Sequence, residues 1–326
     1  MRIPYFAFLA PATLEEALSI LDGYTGGARV LAGGTDLIPI MKYGLDAPST
    51  IMSLKNITSL NGMTLENKEL HIGAMTPLVD LLASPIIKEN FRALHQAIAA
   101  VATPPIWNVA TVGGNICQNS RCLYYNQSKT WRRERPPCFK AGGSVCHVVP
   151  KGKKCFSVYS GDLAPALIAL KSSVAVERKG SYRIIALQDI FSGKGKAPLM
   201  LKKEELLSKI IIPLPDKGAC SSYVKMRLRP SVDYPLLSVA ASVLLDRERK
   251  IKETTFVLGA VGPAPVVVAV PGQLIRGGVK DLENFDAWGE VLGKGLQMVD
   301  NLALPASYRR KMLPVLAKKA IQAAIA

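Results

Sequence analysis

The sequence predicts a chain of mixed α+β class built in two parts, and three observations carry that reading. A helix followed by a strand, a glycine turn and a short helix opens the chain. Short strands and apolar helices fill its middle. A break rich in proline and glycine, IIIPLPDKGACSSY (210–223), then precedes a run of strands that ends in two helices. The break puts a boundary near residue 216, giving parts of 1–216 and 217–326, the second smaller than the first.

The elements follow in order. In TLEEALSILDGY (13–24), Thr13 and Glu16 have capping-box spacing ahead of apolar residues at helical intervals. ARVLAGGTDLIPIMKYG (28–44) reads as strand, glycine turn and short helix, a βα-like unit. Residues 51–75 read as short strands and turns, and TPLVDLLASPIIKENFRALHQAIAAVAT (76–103) as helices ending near Pro104. Helix and strand patterning resumes in SGDLAPALIALKSSVAVERKGSYRIIAL (160–187). Beyond the break, SYVKMRLR, LLSVAASVLLD and ETTFVLGAV alternate as strands. DLENFDAWGEVLGKGLQMVD (281–300) and PASYRRKMLPVLAKKAIQAAIA (305–326) are the closing helices.

With 49% hydrophobic and 20% charged residues, the 326-residue composition is globular. A net charge of +16 fits a nucleic acid, an acidic membrane or an acidic protein partner, and composition does not choose among them. The apolar start MRIPYFAFLAPA is broken by Pro4 and Pro11 and followed by Glu15 and Glu16, so no targeting segment is expected and a cytoplasmic location is. The uncharged run 256–275 is long enough to span a membrane but holds three prolines and three glycines. It reads as strand, turn and strand, with no membrane association.

Charge is concentrated in residues 121–156, RCLYYNQSKTWRRERPPCFKAGGSVCHVVPKGKKCF. Nine basic residues face one acidic residue there, and four of the six cysteines of the chain lie in it. Cys122, Cys138, Cys146 and Cys155 are separated by 15, 7 and 8 residues. Four thiolates suit zinc or a [4Fe-4S] cluster, and the C-x-x-C pairs of zinc knuckles and ribbons are absent. Arg121, Arg132, Arg133, Arg135, Lys140, Lys151, Lys153 and Lys154 would lower thiol pKa values and offset a negatively charged centre. Ordering so long a loop needs a clamp, which four soft ligands supply. Tyr124, Tyr125, Trp131, Phe139 and Phe156 could instead stack on bases in a zinc-stabilised nucleic-acid module. Basic residues elsewhere form no matching stripe, so nucleic acid is not the expected partner. Cys117 reads as a small buried residue, Cys220 as filler, and His147 as a neighbour of the cysteines rather than a ligand.

Two glycine loops are candidates for holding an anion. AGGTD (32–36) lies between a strand and a helix, where backbone amides can meet phosphate oxygens, and TVGGN (111–115) is a second loop of this kind. Neither matches G-x-G-x-x-G or a Walker loop, and each could be only a tight turn.

RVLAGGTDLIPIMK, IGAMT, WNVATVGGNI, SGDLAPALIAL, ELLSKIIIP, YVKMR, VGPAP and SYRRKML occur in this order along the chain. In that order they resemble the FAD-binding subunits of the molybdenum hydroxylases, the xanthine and carbon monoxide dehydrogenase group. The resemblance implies that family's two-subdomain FAD-binding fold followed by its flavoprotein C-terminal domain. It implies that Val30, Leu31, Ala32, Gly33, Gly34, Thr35 and Asp36 line the FAD pyrophosphate together with Thr111, Val112, Gly113, Gly114 and Asn115. Asp162 would face the ribityl region, and Val101, Leu206 and Lys225 would touch the flavin. Implied partners are a molybdenum-cofactor large subunit and a [2Fe-2S] small subunit, in a dimer of heterotrimers. Most of the family passes from GGN to DLAPAL in about a dozen residues, whereas 46 residues separate Asn115 from Asp162 here. Such an insertion, about 117–158, is similar to that of the 4-hydroxybenzoyl-CoA reductase branch, whose flavin subunit carries an extra [4Fe-4S] cluster. That likeness implies Cys122, Cys138, Cys146 and Cys155 as cluster ligands, ferredoxin as electron donor and a basic rim where an acidic carrier docks. An oxidative hydroxylase, with flavin passing electrons outward, is the alternative within the family.

Overall fold

The computed structural model describes residues 3–24, 28–270 and 285–326, with residues 285–288 described by backbone alone. The fold is mixed α+β, arranged as three main sheets and the helices that cover them.

A small parallel sheet starts the chain, ordered Ala7–Leu9, Thr50–Ser53, Arg29–Leu31. The helix Leu14–Gly23 covers it, burying Ala17, Leu18 and Leu21 with Met52. Thr13 caps that helix by accepting from the Glu16 amide at 3.1 Å. Glu16 reaches back to the amide of Ala12 rather than to that of Thr13, at 2.8 Å. The predicted unit over 28–44 is the strand Arg29–Leu31, the AGGTD turn and the helix Leu37–Lys42.

The second sheet is antiparallel, in the order Met63–Glu66, Glu69–Gly73, Leu206–Pro213, Ser173–Arg178, Ser181–Ala186. Its register sets Ile72, Ile210 and Val174 side by side, and the period-2 alternation of a strand places Leu70, Ile212 and Val176 on the same buried face. Helices Leu78–Ala83, Pro85–Asn90, Arg92–Ala99 and Leu163–Ala169 pack on that face. Pro104 starts a short helix, Pro104–Trp107, instead of following the end of one, because proline is tolerated in a first helical turn where no amide is needed.

The third sheet is an antiparallel meander, Ala219–Met226, Leu237–Leu245, Ile251–Gly259 and Val266–Ala269. Leu237, Val239, Ala241, Phe256 and Leu258 face the long helix Ala306–Ile325 through its Leu313, Leu316, Ala317, Ala320 and Ile321. Ala240 and Val257 point the other way, into the core of the first part. Both faces of this sheet are therefore buried, and the two parts of the chain share a core. The run 256–275 supplies two strands as expected, up to Ala269; its residues 271–275 lie outside the described residues, as do 281–284 at the start of the first closing helix, seen here as Phe285–Gly293. Among the described residues no helix is long and apolar enough to cross a membrane.

Arg309, buried near the start of the last helix, donates to the carbonyls of Leu304 and Ala260 at 3.2 Å each and of Val299 at 2.6 Å. Arg309→Met leaves the Leu304 and Ala260 carbonyls without their partner, while that of Val299 keeps the Asn301 amide at 2.9 Å, at about 1–3 kcal/mol for each buried group left unsatisfied. The expected loss is about 3 kcal/mol or more of unfolding free energy, read from the urea midpoint, and an unchanged midpoint would show that the loop 299–305 is held otherwise.

Candidate functional site: a glycine-loop cleft beside a four-cysteine cavity

A cleft of about 1250 Å³ runs between the parallel sheet, the two glycine loops and the edge of the C-terminal part. Val30, Ala32, Gly33, Gly34, Thr35 and Asp36 line it, as do Val101, Thr111, Gly113, Gly114, Asn115, Asp162 and Leu206. Three residues singled out from the sequence lie elsewhere. Leu31 packs beside Gly34, Val112 is fully buried, and the Lys225 ammonium lies behind the wall of the cleft.

The two loops differ in what they offer an anion. In TVGGN the amides of Val112, Gly113 and Gly114 donate to Thr76 O, Ala74 O and Thr111 Oγ1, so these donors are spent within the protein. In AGGTD the amides of Gly33, Gly34 and Thr35 have no hydrogen-bond partner among the described residues. Gly34 has φ +74°, the left-handed region that favours glycine. Gly33 is required for another reason: a Cβ there would lie 1.8 Å from the carbonyl oxygen of Val109. The glycine serves contact between the two loops rather than approach of the backbone to a ligand.

Asp162 is the buried centre of this region. Its Oδ1 accepts from the Tyr223 hydroxyl at 2.7 Å and its Oδ2 from Lys225 Nζ at 3.0 Å. The Asp162 and Lys225 side chains are 7% and 3% exposed. Lys225 also donates to Ala100 O at 2.9 Å, beside Val101, and the Asn115 carboxamide accepts from the Leu163 amide at 3.2 Å. Burial raises the Asp162 carboxyl above its ordinary range, against the opposing pull of Lys225 and the Tyr223 hydroxyl.

Sequence reasoning missed several wall residues. Ser160 is buried, lines the cleft and leaves its Oγ without a partner. An orphaned buried hydroxyl facing a cleft is the signature of a site that a polar ligand completes. Asp233 and Tyr234 come from the C-terminal part, and Lys202, Lys203 and Glu205 from the segment before strand Leu206–Pro213. No local pattern marks them, because their place is set by contacts between distant segments; Ser160 alone had a local signal, its position two residues before Asp162.

Beyond TVGGN the insertion leaves the core through a neck. Arg121 and Val158 exchange both backbone hydrogen bonds at 2.7 Å. The Arg121 guanidinium pairs with Asp36 of AGGTD and stacks on Tyr234 at 3.8 Å. Arg132 donates to Gly44 O at 2.7 Å, Lys154 to Gln297 Oε1 at 3.0 Å, and Asn301 to Phe156 O. Several of the basic residues thus tie the insertion to the scaffold.

Cys122, Cys138, Cys146 and Cys155 line one small cavity with Tyr124, Tyr125, Lys140, His147 and Phe156. The Cys122 carbonyl accepts from Tyr125 and Asn126, and that of Cys138 from Ala141 and Gly143, so tight turns fix the backbone beside two of the thiols. His147 uses Nε2 on Pro136 O. Among the described residues, no group of three or more His, Cys, Asp or Glu is arranged to hold a metal ion. The basic surroundings do not lower the Cys122 thiol. Burial raises it, and the neighbouring Cys155 and Cys138 raise it further, while two backbone amides oppose them. Cys117 packs against the core at the wall of the cleft, with its thiol pushed up to about 12 by burial, and Cys220 sits half-buried on the strand Ala219–Met226.

Residues 4–215 match the FAD binding domain in molybdopterin dehydrogenase, and residues 221–324 the CO dehydrogenase flavoprotein C-terminal domain. The chain belongs to the family of FAD-binding subunits of molybdenum hydroxylases. It is 30% identical over 267 residues to the aldehyde oxidoreductase FAD-binding subunit of Escherichia coli K12, covering 77% of this chain and 80% of that one. It is 25% identical over 284 residues to the nicotinate dehydrogenase FAD-subunit of Eubacterium barkeri, covering 86% and 83%. The carbon monoxide dehydrogenase medium chain of Afipia carboxidovorans is 26% identical over 326 residues, covering 98% and 96%. In fold the chain is similar to a Cu,Mo-CO dehydrogenase chain, with a TM-score of 0.80 at 24% identity over 100% of this chain and 99% of that one. FAD is thus the ligand against which the cleft is judged. The unpaired amides of AGGTD and the orphaned Ser160 hydroxyl fit a polar, phosphate-bearing cofactor.

Gly33→Ala forces the Val109 carbonyl to move, whereas Gly262→Ala meets nothing within 4 Å. The first variant is expected to purify with substoichiometric FAD and the second with wild-type content, by absorbance of the released flavin. Lys225→Met removes the counter-charge of Asp162, with an expected cost of about 3–5 kcal/mol near neutral pH. Its pH dependence has a fixed sign. Without Lys225 the folded carboxyl rises further above its unfolded value, so the native state holds a proton that the unfolded chain has lost, and the penalty grows as pH rises through that window. Urea unfolding at pH 5 and pH 8 should show the larger deficit at pH 8; equal deficits would mean that Asp162 stays ionised without its partner.

Proposed function

We propose that this chain is the flavin-carrying electron-transfer subunit of a molybdenum enzyme and that its insertion holds a [4Fe-4S] cluster on Cys122, Cys138, Cys146 and Cys155. The observation that carries the cluster is the convergence on one cavity of four thiols spread over more than thirty residues. One zinc ion requires four sulfurs at ~2.3 Å from a single point. Four cysteine thiols lining one cavity suit a [4Fe-4S] cluster, which takes four thiolate ligands, and the sequence lacks the C-x-x-C pairs of zinc knuckles and ribbons.

In the cleft, AGGTD supplies amides to the FAD pyrophosphate, Ser160 a hydroxyl, and Val101 and Leu206 apolar walls. Asp162 holds the cleft in shape through Tyr223 and Lys225. When bound, FAD accepts two electrons and releases them singly, which suits a subunit that links one-electron centres. The partners we assign are a molybdenum-cofactor large subunit and a [2Fe-2S] small subunit, in a dimer of heterotrimers.

Two directions of electron flow are compatible with this arrangement. The relatives are dehydrogenases and an oxidoreductase by name, which supports an oxidative hydroxylase whose flavin passes electrons outward. The four-cysteine insertion favours the reverse, with reduced ferredoxin delivering electrons by way of the cluster and FAD to partner [2Fe-2S] and molybdenum centres. The reaction there is reductive removal of the hydroxyl of 4-hydroxybenzoyl-CoA to give benzoyl-CoA.

The test is made on the anaerobically purified complex. Cys155→Ser is expected to lose iron beyond that of the partner subunits while keeping FAD, and Cys220→Ser to lose neither, by iron analysis and electron paramagnetic resonance. Wild-type protein without the extra iron would remove the cluster. Turnover of 4-hydroxybenzoyl-CoA with a low-potential donor, against oxidation of an aldehyde or N-heterocycle with a dye acceptor, decides the direction.

A further inference from the structure

Two residues, Tyr125 and Lys140, line both the four-cysteine cavity and the flavin cleft. Among the described residues, Lys140 is the only charged one on both walls. Its ammonium is pinned from three directions. It donates to Asn119 Oδ1 at 2.8 Å and Ser120 O at 2.9 Å on the chain entering the insertion, with Ser120 Oγ also in contact. It reaches Ser157 Oγ at 3.4 Å on the chain leaving it, and Gly195 O at 3.1 Å on the hairpin between Phe191–Lys194 and Ala197–Leu199. A Cβ at Gly195 would meet Cys155 O at 2.7 Å and Ser157 N at 2.8 Å, so this hairpin and the last cysteine segment are pressed together. The acceptors around the ammonium are carbonyls, hydroxyls and an amide oxygen. No carboxylate is among them, so its charge is left to act on the two sites beside it.

We propose that Lys140 is a positioning residue for electron transfer, a fixed cation in the wall shared by the two sites that stabilises an added electron in either of them. The inference rests on the reading that the four cysteines hold a redox centre and the cleft holds FAD. An exposed lysine of the insertion would do this weakly, since water and salt screen it. An ammonium held among oxygens in a half-buried wall is screened less and is fixed in place before the electron arrives. The same contacts clamp the neck of the insertion to the scaffold, so the charge is placed by the fold and not by the cofactors.

The experiment compares the wild-type complex with Lys140→Gln, Lys140→Arg and the rim variant Lys151→Gln. Iron and FAD per chain are measured first, followed by redox titrations of the cluster by electron paramagnetic resonance and of the flavin by absorbance. Lys140→Gln with full iron and FAD is expected to lower the one-electron reduction constant of the cluster about tenfold, about 59 mV more negative, and to move the flavin in the same direction. Lys140→Arg should restore both, and Lys151→Gln should shift neither. Full cofactor content with unchanged potentials in Lys140→Gln, or a shift matched by Lys151→Gln, overturns the proposal and leaves Lys140 as a structural clamp. If Lys140→Gln loses its iron, its flavin potential is compared with that of the equally iron-poor Cys155→Ser. A more negative value in the lysine variant supports the fixed charge, and equal values overturn it. Absence of extra iron in the wild type refutes the cluster assignment alone, because the flavin comparison between Lys140→Gln and wild type still reads the charge.

Discussion

The buried carboxylate of Asp162 is the constraint on which the rest of the cleft depends. A carboxyl group out of water is tolerable only with partners, and this one has two from the C-terminal sheet, the Tyr223 hydroxyl and the Lys225 ammonium. Through Lys225 it fixes the carbonyl of Ala100, and through the helix that follows it the amide of Leu163 meets Asn115 of TVGGN. Four segments far apart in sequence are thereby held to one point. Apolar packing holds the same sheet from both sides: its Ala240 and Val257 pack into the first core while its opposite face carries the terminal helix.

The insertion is built on a different principle. It contributes no residue to the fully buried core beyond its neck, and its two ends are joined by the Arg121–Val158 bridge. Ordering about forty residues without a core of their own costs conformational entropy that hydrophobic burial does not offset. Polar anchors stand in for it, with Arg121 on Asp36, Arg132 on Gly44, Asn301 on Phe156 and Lys140 at the junction of three segments. A metal centre on the four cysteines would add covalent cross-links to this scheme, in the way that small metal-dependent folds are stabilised. The local excess of positive charge thus has two uses, some of it spent on tethering and some left facing the cavity.

The two glycine loops show why a motif does not by itself define a binding role. Both look alike in sequence, yet TVGGN uses its amides on Ala74, Thr76 and Thr111, while the amides of Gly33, Gly34 and Thr35 in AGGTD have no partner among the described residues. Gly33 is small because the second loop passes against it, a requirement that arises only when the loops meet.

The sequence by itself determined the elements whose causes are local. Capping at Thr13, the βα unit around AGGTD, the strand alternation of the C-terminal part and the concentration of cysteines and charge in 121–156 were all legible, because spacing and residue type set them. The order of eight motifs was enough to point to the family and its mixed α+β fold. Tertiary structure alone decided which side chains share a wall. Lys225 lies behind the cleft on Asp162, Ser160 and Tyr234 line it, and Lys140 stands between the two sites, each placed by contacts across tens of residues. Local sequence carries no record of such contacts, since the free energy that fixes them comes from burial and pairing between segments that meet only in the folded chain.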